Sequence, residues 1–80
     1  MERTLDARKM MCPKPIVMAK KEFEALPAGH TLKIVATDKS SVFDFQAWAK
    51  MTKRASLVKQ ETSKDPDGTD IYLHFVLKEV

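Results

Sequence analysis

The sequence predicts an α+β fold, a two-layer α/β sandwich in which two helices lie on one face of a four-stranded mixed sheet. Apolar residues recur at helical spacing in two segments and alternate with polar residues in others, as helices and strands require. These segments follow one another in the order β-α-β-α-β-β. A β-α-β start favours a right-handed crossover between parallel strands, and the last two strands, joined by a tight turn, form an antiparallel hairpin. The predicted sheet is therefore mixed.

The first half of the chain contains two predicted strands with a helix between them. Residues 4–7 form a short first strand. After Cys12, apolar residues spaced three, four and three apart give one stripe of a helix: Ile16, Ala19, Phe23 and Leu26. Because Pro and Gly are common just past a helix C-terminus, residues 27–29 end this helix. Residues 31–37 alternate between two faces and predict the second strand.

The second half of the chain begins with another helix. Ser41 followed by Asp44 resembles a capping box, with Asp in the place where Glu or Gln is usual. One apolar stripe follows: Val42, Phe45, Ala49 and Thr52. A second apolar set lies beside it: Phe43, Ala47 and Met51, with Trp48. A helix so rich in apolar residues is expected to be well covered by the rest of the chain.

A predicted hairpin completes the sheet. Residues 56–62 form the third strand, and 63–69 form a turn in which Pro, Asp and Gly each favour the tight backbone. Residues 71–78 form the fourth strand, in which one alternating set is apolar and is expected to face the core: Ile71, Leu73, Phe75 and Leu77. The other set is expected on the solvent-exposed face of the sheet: Tyr72, His74 and Lys78.

Composition restricts the class of protein. Eighty residues correspond to a single domain, residues 1–80, with one modest core. With 44% hydrophobic and 31% charged residues, the chain resembles an ordinary globular protein rather than a disordered one. The charged start is unlike a signal peptide, and the apolar runs are far shorter than the ~18 residues of a membrane span. We therefore expect a cytoplasmic protein with no membrane partner.

The single cysteine is the strongest candidate for chemistry. Cys12 precedes Pro13-Lys14-Pro15, and prolines suit the first turn of a helix, where N–H groups have no intrahelical acceptor. This spacing places Cys12 at the N-cap, where the helix dipole favours a thiolate or persulfide anion. Nearby cationic side chains add positive potential for anion stabilisation or partner docking: Arg8, Lys9 and Lys14.

Other interpretations of Cys12 have less support in the sequence. A lone intracellular cysteine is more often an apolar filler of the core, but a cysteine at a helix N-cap tends to lie at the surface. One cysteine with His30 and His74 does not supply the four ligands of a structural zinc site. The chain also lacks the second cysteine of a CxxC redox cycle and any Gly-rich phosphate loop. No metal and no cofactor are expected.

The segment around Cys12 resembles the opening of the TusA/SirA-like sulfur-carrier family. The family pattern of Leu-Asp, Arg and then Cys-Pro-x-Pro matches Leu5-Asp6-Ala7-Arg8-Lys9-Met10-Met11-Cys12-Pro13-Lys14-Pro15. The similarity continues through Leu26-Pro27-Ala28-Gly29, through Asp38 and Asp44 around the second helix, and into the final hairpin. The resemblance thus extends over nearly the whole chain and implies the same β-α-β-α-β-β sandwich.

The resemblance implies a sulfurtransferase of the persulfide-carrier type. Cys12 would accept sulfur from a cysteine desulfurase or another sulfur donor and relay it to an acceptor protein. That acceptor would act in tRNA thiolation, molybdenum-cofactor assembly or sulfur oxidation, and some family members are linked instead to selenium metabolism or thiol redox roles. Two departures from the family pattern stand out: Lys9 occupies a position that is usually glycine, and Lys39 follows Asp38 where proline is common.

A second hypothesis is a small nucleic-acid-binding or regulatory module. It depends on the mild basic excess, 14 Lys and Arg against 11 Asp and Glu, and on one uncovered sheet face. Aromatic residues make up only 8% of the chain, and most are expected in the core, so base-stacking platforms are scarce. Stable binding to nucleic acid is therefore not expected. A thiol redox partner is a third possibility, and the absence of a second cysteine argues against it.

Overall fold

A computed structural model describes residues 2–11 and 14–79 of the chain. Its elements follow the predicted order: β1 (Glu2–Ala7), α1 (Lys14–Ala25), β2 (Thr31–Ala36), α2 (Ser41–Thr52), β3 (Ala55–Lys64) and β4 (Asp70–Lys78). The predicted order of elements and the α+β class are confirmed. The largest difference in length is in β3, which continues to Lys64 because it pairs with β4 up to the turn.

The sheet has the strand order β1-β2-β4-β3. Strand β1 pairs in parallel with β2, as a β-α-β crossover requires, and β4 lies antiparallel between β2 and β3. Both helices lie on one face of this mixed sheet, as predicted. The core between the two layers contains Leu5, Ala7, Ala19, Phe23, Leu26, Leu32, Ile34, Phe45, Ala55 and Val76. Fold class and sheet type therefore agree with the sequence pattern.

Helix α1 buries Ala19 and Phe23 of its predicted apolar stripe and half-buries Ile16, and its C-terminal end receives a cation from β4. The helix has no basic residue in its last turn. Instead, Lys78 Nζ donates hydrogen bonds to the carbonyl oxygens of Phe23 at 3.0 Å and Glu24 at 3.3 Å, and lies 5.1 Å from the Phe23 ring centroid. The last carbonyls of a helix lack intrahelical donors and carry a partial negative charge. Lys78 thus links the last strand to the end of α1.

The prediction for the two faces of β4 was wrong. His74 is fully buried and Lys78 nearly so, both under the helices, while the set from Ile71 to Leu77 lies on the opposite face and is only half-buried. The alternation identified the two sets correctly. The more apolar set was predicted to face the core, because the sequence pattern contains no information on hydrogen bonds. In the structure, the polar atoms of His74 and Lys78 all have hydrogen-bond partners under the helices. Buried polar groups are tolerated when they are hydrogen-bonded.

Helix α2 begins at Ser41, as predicted, but the predicted capping box and the predicted coverage of α2 were wrong. Ser40 occupies the N-cap without a side-chain capping bond, and Ser41 is the first helical residue. The Ser41 hydroxyl lies 2.9 Å from Nε2 of buried His74, so it serves a tertiary contact instead of a capping box. The second apolar set of α2 is not covered: Phe43 is 69% exposed and Met51 is 81% exposed. That side of α2 is therefore available as surface.

Candidate functional site

The predicted reactive residue, Cys12, comes in the sequence between the end of β1 and the start of α1. Cys12 and Pro13 are outside the described residues, so the predicted N-cap position of Cys12 stays a prediction. The flanking residues are described: Met11 is exposed, and Lys14, also exposed, is the first residue of α1 and donates its N–H to the Met11 carbonyl at 2.9 Å. Pro15 is buried in the first turn of α1, where its missing N–H needs no partner.

The loop that leads to this segment has an unusual backbone conformation. Lys9 has a φ of 66°, the left-handed region, and its N–H donates to Thr37 Oγ1 at 2.8 Å. A side chain in that region costs ~1–2 kcal/mol, whereas glycine adopts it freely. Lys9 therefore adopts at an energetic cost a turn that glycine would adopt freely. The loop hydrogen-bonds to the segment after β2 through this N–H.

Arg8 connects the same loop to the distant β3–β4 turn. Its Nε and Nη2 donate to the two carboxylate oxygens of Asp6, both at 2.9 Å, and Nη1 donates to Asp65 Oδ1 at 3.2 Å. These hydrogen bonds from Arg8 hold the pKa of Asp6 at about 2 and raise the pKa of Arg8 itself. Asp6, chosen for its match to the family, thus orients Arg8. Asp65 was missed, because a residue in the final turn gives no sequence signal of contact with the first loop.

The three predicted cationic residues therefore have different surroundings. The charge of Arg8 is balanced by two carboxylates, which leaves less of it for a partner or a bound anion. Lys9 and Lys14 are exposed, and no ion pair is found for either among the described residues.

Asp38 accepts hydrogen bonds from the Ser40 N–H at 3.0 Å and the Ser40 hydroxyl at 2.9 Å, and so orders the turn before α2.

Asp44 lies in a groove between the two helices, beside the start of α1. Ile16 and Lys20 form the α1 side of this groove, and the α2 side is formed by Asp44, Ala47, Trp48, Met51 and Thr52. Among the residues that line the groove, Met51 is 81% exposed, and α2 also exposes Phe43. The apolar residues of α2 were predicted to be covered, and for Phe43 and Met51 that prediction was wrong. We name this groove the helix-face groove; its lining is largely apolar, with Lys20 and Asp44 as the charged members.

Two kinds of site are not found in the described part of the chain. Residues 2–11 and 14–79 contain no group of three or more His, Cys, Asp or Glu side chains placed to hold a metal ion. No helix within these residues has the length and apolar character needed to cross a membrane.

Comparison with known proteins agrees with this geometry. The family model described as sulfurtransferase TusA matches residues 3–74. The sulfur carrier protein TusA of Allochromatium vinosum is 39% identical over 77 residues, covering 96% of this chain and 92% of that protein. The crystal structure of a SirA-like protein from Desulfitobacterium hafniense superposes with a TM-score of 0.68 at 26% identity, covering 99% of this chain and all of that one.

One relative shows the same unit within a longer chain. YrkF of Bacillus subtilis is 54% identical over 74 residues, which is 92% of this chain but only 37% of YrkF. The family match extends from β1 into β4 and includes Cys12-Pro13-Lys14-Pro15. The fold, the length of the match and the sulfur-carrier relatives agree: the chain belongs to the TusA family of sulfurtransferases and has a sulfur-carrier role.

Proposed function

We propose that Cys12 carries sulfur as a persulfide, received from a cysteine desulfurase or another sulfur donor protein and relayed to an acceptor protein. The observation that carries this proposal is the family match across residues 3–74, within which Cys12 is the only thiol. With no second cysteine, the sulfur leaves Cys12 only by reaction with another molecule. That property suits a carrier between proteins and does not suit an internal redox cycle.

The transfer step needs no cofactor. The Cys12 thiolate attacks the outer sulfur of a donor persulfide, a new S–S bond forms, and the donor's own thiolate leaves. Cys12 lies two positions before Lys14, the first residue of α1. Unpaired N–H groups of the first helical turn favour an anion near this end. Exposed Lys14 and Lys9 add positive charge close by in the sequence. Such surroundings support both a thiolate and the persulfide anion.

The helix-face groove supports docking of the donor or acceptor beside the first turns of α1. It combines exposed apolar side chains with Lys20 at its edge, beside the beginning of α1. Interfaces need a desolvated apolar centre with a polar rim, and this surface offers both. We propose that the acceptor protein acts in the cytoplasm, in tRNA thiolation, molybdenum-cofactor assembly or sulfur oxidation. The alternative roles for the carrier are selenium metabolism and thiol redox exchange.

The test is to load the protein with sulfur. The protein is incubated with a cysteine desulfurase and cysteine, and its intact mass is measured before and after addition of a reductant. We expect the mass to rise by one or more sulfur atoms and to return to the starting value on reduction. Cys12→Ser is expected to take up no sulfur. Equal loading of that variant would contradict the proposal.

A further inference from the structure

The face of the sheet opposite the helices is more apolar than a solvent-exposed sheet face requires. In β4, the central strand between β2 and β3, it presents Ile71, Leu73, Phe75 and Leu77, and β2 adds Val35. All five are half-buried, and no element among residues 2–11 and 14–79 covers them. We name these five residues, with Lys33 and Lys59, the open face.

The strand register places two lysines around the centre of the open face. Phe75 pairs with Lys33 on β2 and with Lys59 on β3. The Nζ atoms of Lys33 and Lys59 lie 5.7 and 4.7 Å from the centroid of the Phe75 ring. Lys59 also approaches Glu61 at 3.8 Å, and no ion pair is found for Lys33 among the described residues. The centre is therefore an apolar strip with positive charge on both sides.

The distribution of residues in β4 makes this strip notable. The helix-covered side of the strand accommodates the buried polar groups of His74 and Lys78, each with hydrogen-bond partners, while large aliphatic side chains lie on the uncovered side. In α/β architectures the apolar face of a sheet is usually covered by helices. Contiguous apolar surface with a charged rim is typical of an interaction site.

We propose that the open face is a second docking surface, which binds an amphipathic helix of a partner protein whose apolar stripe is flanked by carboxylates. A helix supplies the missing layer over the sheet, its apolar stripe covers Leu73, Phe75 and Leu77, and its carboxylates pair with Lys33 and Lys59. This face lies on the opposite side of the sheet from the helix-face groove. A partner bound here therefore leaves the start of α1 and the groove accessible, and the proposal does not depend on the sulfur-transfer role.

The charges on the open face disfavour the other occupants. Two copies of this chain in face-to-face contact through Phe75 would bring Lys33 and Lys59 of one copy against those of the other. Single-stranded RNA needs accessible rings for base stacking, but the Phe75 ring is half-buried and flanked by aliphatic side chains.

The test uses two synthetic helices of about 18 residues, or five turns, with the same Leu/Phe stripe. One has Glu on both sides of the stripe and the other has Lys. Binding is measured by titration of the ¹⁵N-labelled protein. We expect the Glu-flanked helix to shift amide signals of β2, β3 and β4, and the Lys-flanked helix to bind at least about tenfold more weakly, or 1.4 kcal/mol.

Two variants separate this site from the rest of the surface. Lys33→Glu with Lys59→Glu reverses one half-buried and one exposed charge on the open face and should weaken binding of the Glu-flanked helix about tenfold, while sulfur loading of Cys12 stays unchanged. Phe75→Thr keeps a strand-forming residue and should also weaken binding. The proposal is overturned if the two helices bind equally, if the shifts lie in the helix-face groove, if oligouridine RNA competes for the same signals, or if a dimer forms that Phe75→Thr abolishes.

Discussion

Arg8 and Asp65 are 57 positions apart in the sequence, yet Nη1 of Arg8 donates a hydrogen bond to Oδ1 of Asp65 at 3.2 Å. This contact ties the loop before Cys12 to the turn between β3 and β4. Asp6 holds the same guanidinium through two further bonds at 2.9 Å. The loop that precedes Cys12 in the sequence is thereby anchored by a residue of the β3–β4 turn.

The Arg8–Asp65 contact predicts an effect on loop order. Asp65→Asn removes one carboxylate but leaves Arg8 and its charge in place, so the loop should lose an anchor without losing a docking cation. We expect faster amide hydrogen exchange in residues 8–11 and slower sulfur receipt by Cys12. Asp70→Asn, in the neighbouring hairpin, is the matched control, because Asp70 pairs with Lys64 instead. Equal exchange rates in wild type and Asp65→Asn would show that the contact does not order the loop.

Lys14 is expected to act on partner encounter. It is exposed at the first position of α1, and no ion pair is found for it among the described residues. Lys14→Glu should therefore slow sulfur receipt, more strongly at low salt, because exposed charges mainly steer association. Lys21→Glu changes the net charge by the same amount but lies farther along α1, so it should slow sulfur receipt less than Lys14→Glu. A transfer rate that is unchanged at low salt would rule out this steering role.

The left-handed residues predict that two glycine substitutions stabilise the protein. Lys9 and Lys53 have φ values of 66° and 56°. Glycine relieves ~1–2 kcal/mol of backbone strain but adds freedom to the unfolded chain, so a net gain of about 0.5–1 kcal/mol in the free energy of unfolding is expected. Chemical denaturation of Lys9→Gly and Lys53→Gly measures it. Lys9→Ala removes the same side chain but keeps the Cβ and should give no comparable gain.

Sequence patterns were most informative where one physical signal dominated. The stripe from Ile16 to Leu26 predicted the buried side of α1, because a single apolar face leaves only one orientation against the core. In β4 both faces hold large side chains, so the choice of the buried face depended on contacts between His74, Ser41 and Gln60 that join three separate elements. Around the site, Cys12-Pro13-Lys14-Pro15 indicated the family, but the link from Arg8 to Asp65 arises only from the packing of the final hairpin.

Lys78 should be important for stability although it is charged. Its Nζ donates to the carbonyl oxygens of Phe23 and Glu24 at the end of α1, and the residue is only 7% exposed. Lys78→Met keeps most of the aliphatic stem but removes the charged donor from both carbonyls, leaving the Phe23 carbonyl only the Leu26 N–H at 3.1 Å. This loss should lower the free energy of unfolding by roughly 1–3 kcal/mol. Lys59→Met on the exposed side of the sheet provides the control and should change it by less than about 0.5 kcal/mol. Equal stability of the two variants would contradict the capping role.

The final prediction concerns the buried His74 and its hydrogen-bond network. Gln60 Nε2 lies 3.0 Å from His74 Nδ1 and also donates to the Val42 carbonyl, while Gln60 Oε1 accepts from Gln46 at 2.8 Å. These bonds assign the orientation of the Gln60 amide, so that its Nε2 donates to Nδ1 of His74. The neutral His74 ring therefore carries its proton on Nε2 and donates it to the Ser41 hydroxyl. A second proton, on Nδ1, would place two donors against each other. If the Gln60 amide rotated to accept that proton, its hydrogen bonds to Val42 and Gln46 would be lost.

Burial lowers the pKa of His74 from 6.5 to about 4, so the folded protein holds this ring neutral where the unfolded chain already binds a proton. The neutral His74 ring contributes fully to the free energy of unfolding above pH 6.5. That contribution falls as the pH drops from 6.5 to 4 and is lost below pH 4. The decrease should be on the order of 2–3 kcal/mol. It is measured by chemical denaturation at several pH values across that interval. His74→Gln should be less stable at pH 7 but should lose this slope, whereas His30→Gln, which keeps His74, should retain it. The carboxylate of Asp6 affects stability only at lower pH, because its pKa is about 2 in the folded protein and 3.8 otherwise. If wild type and His74→Gln show the same slope between pH 6.5 and 4, the buried ring is not the group that titrates on unfolding.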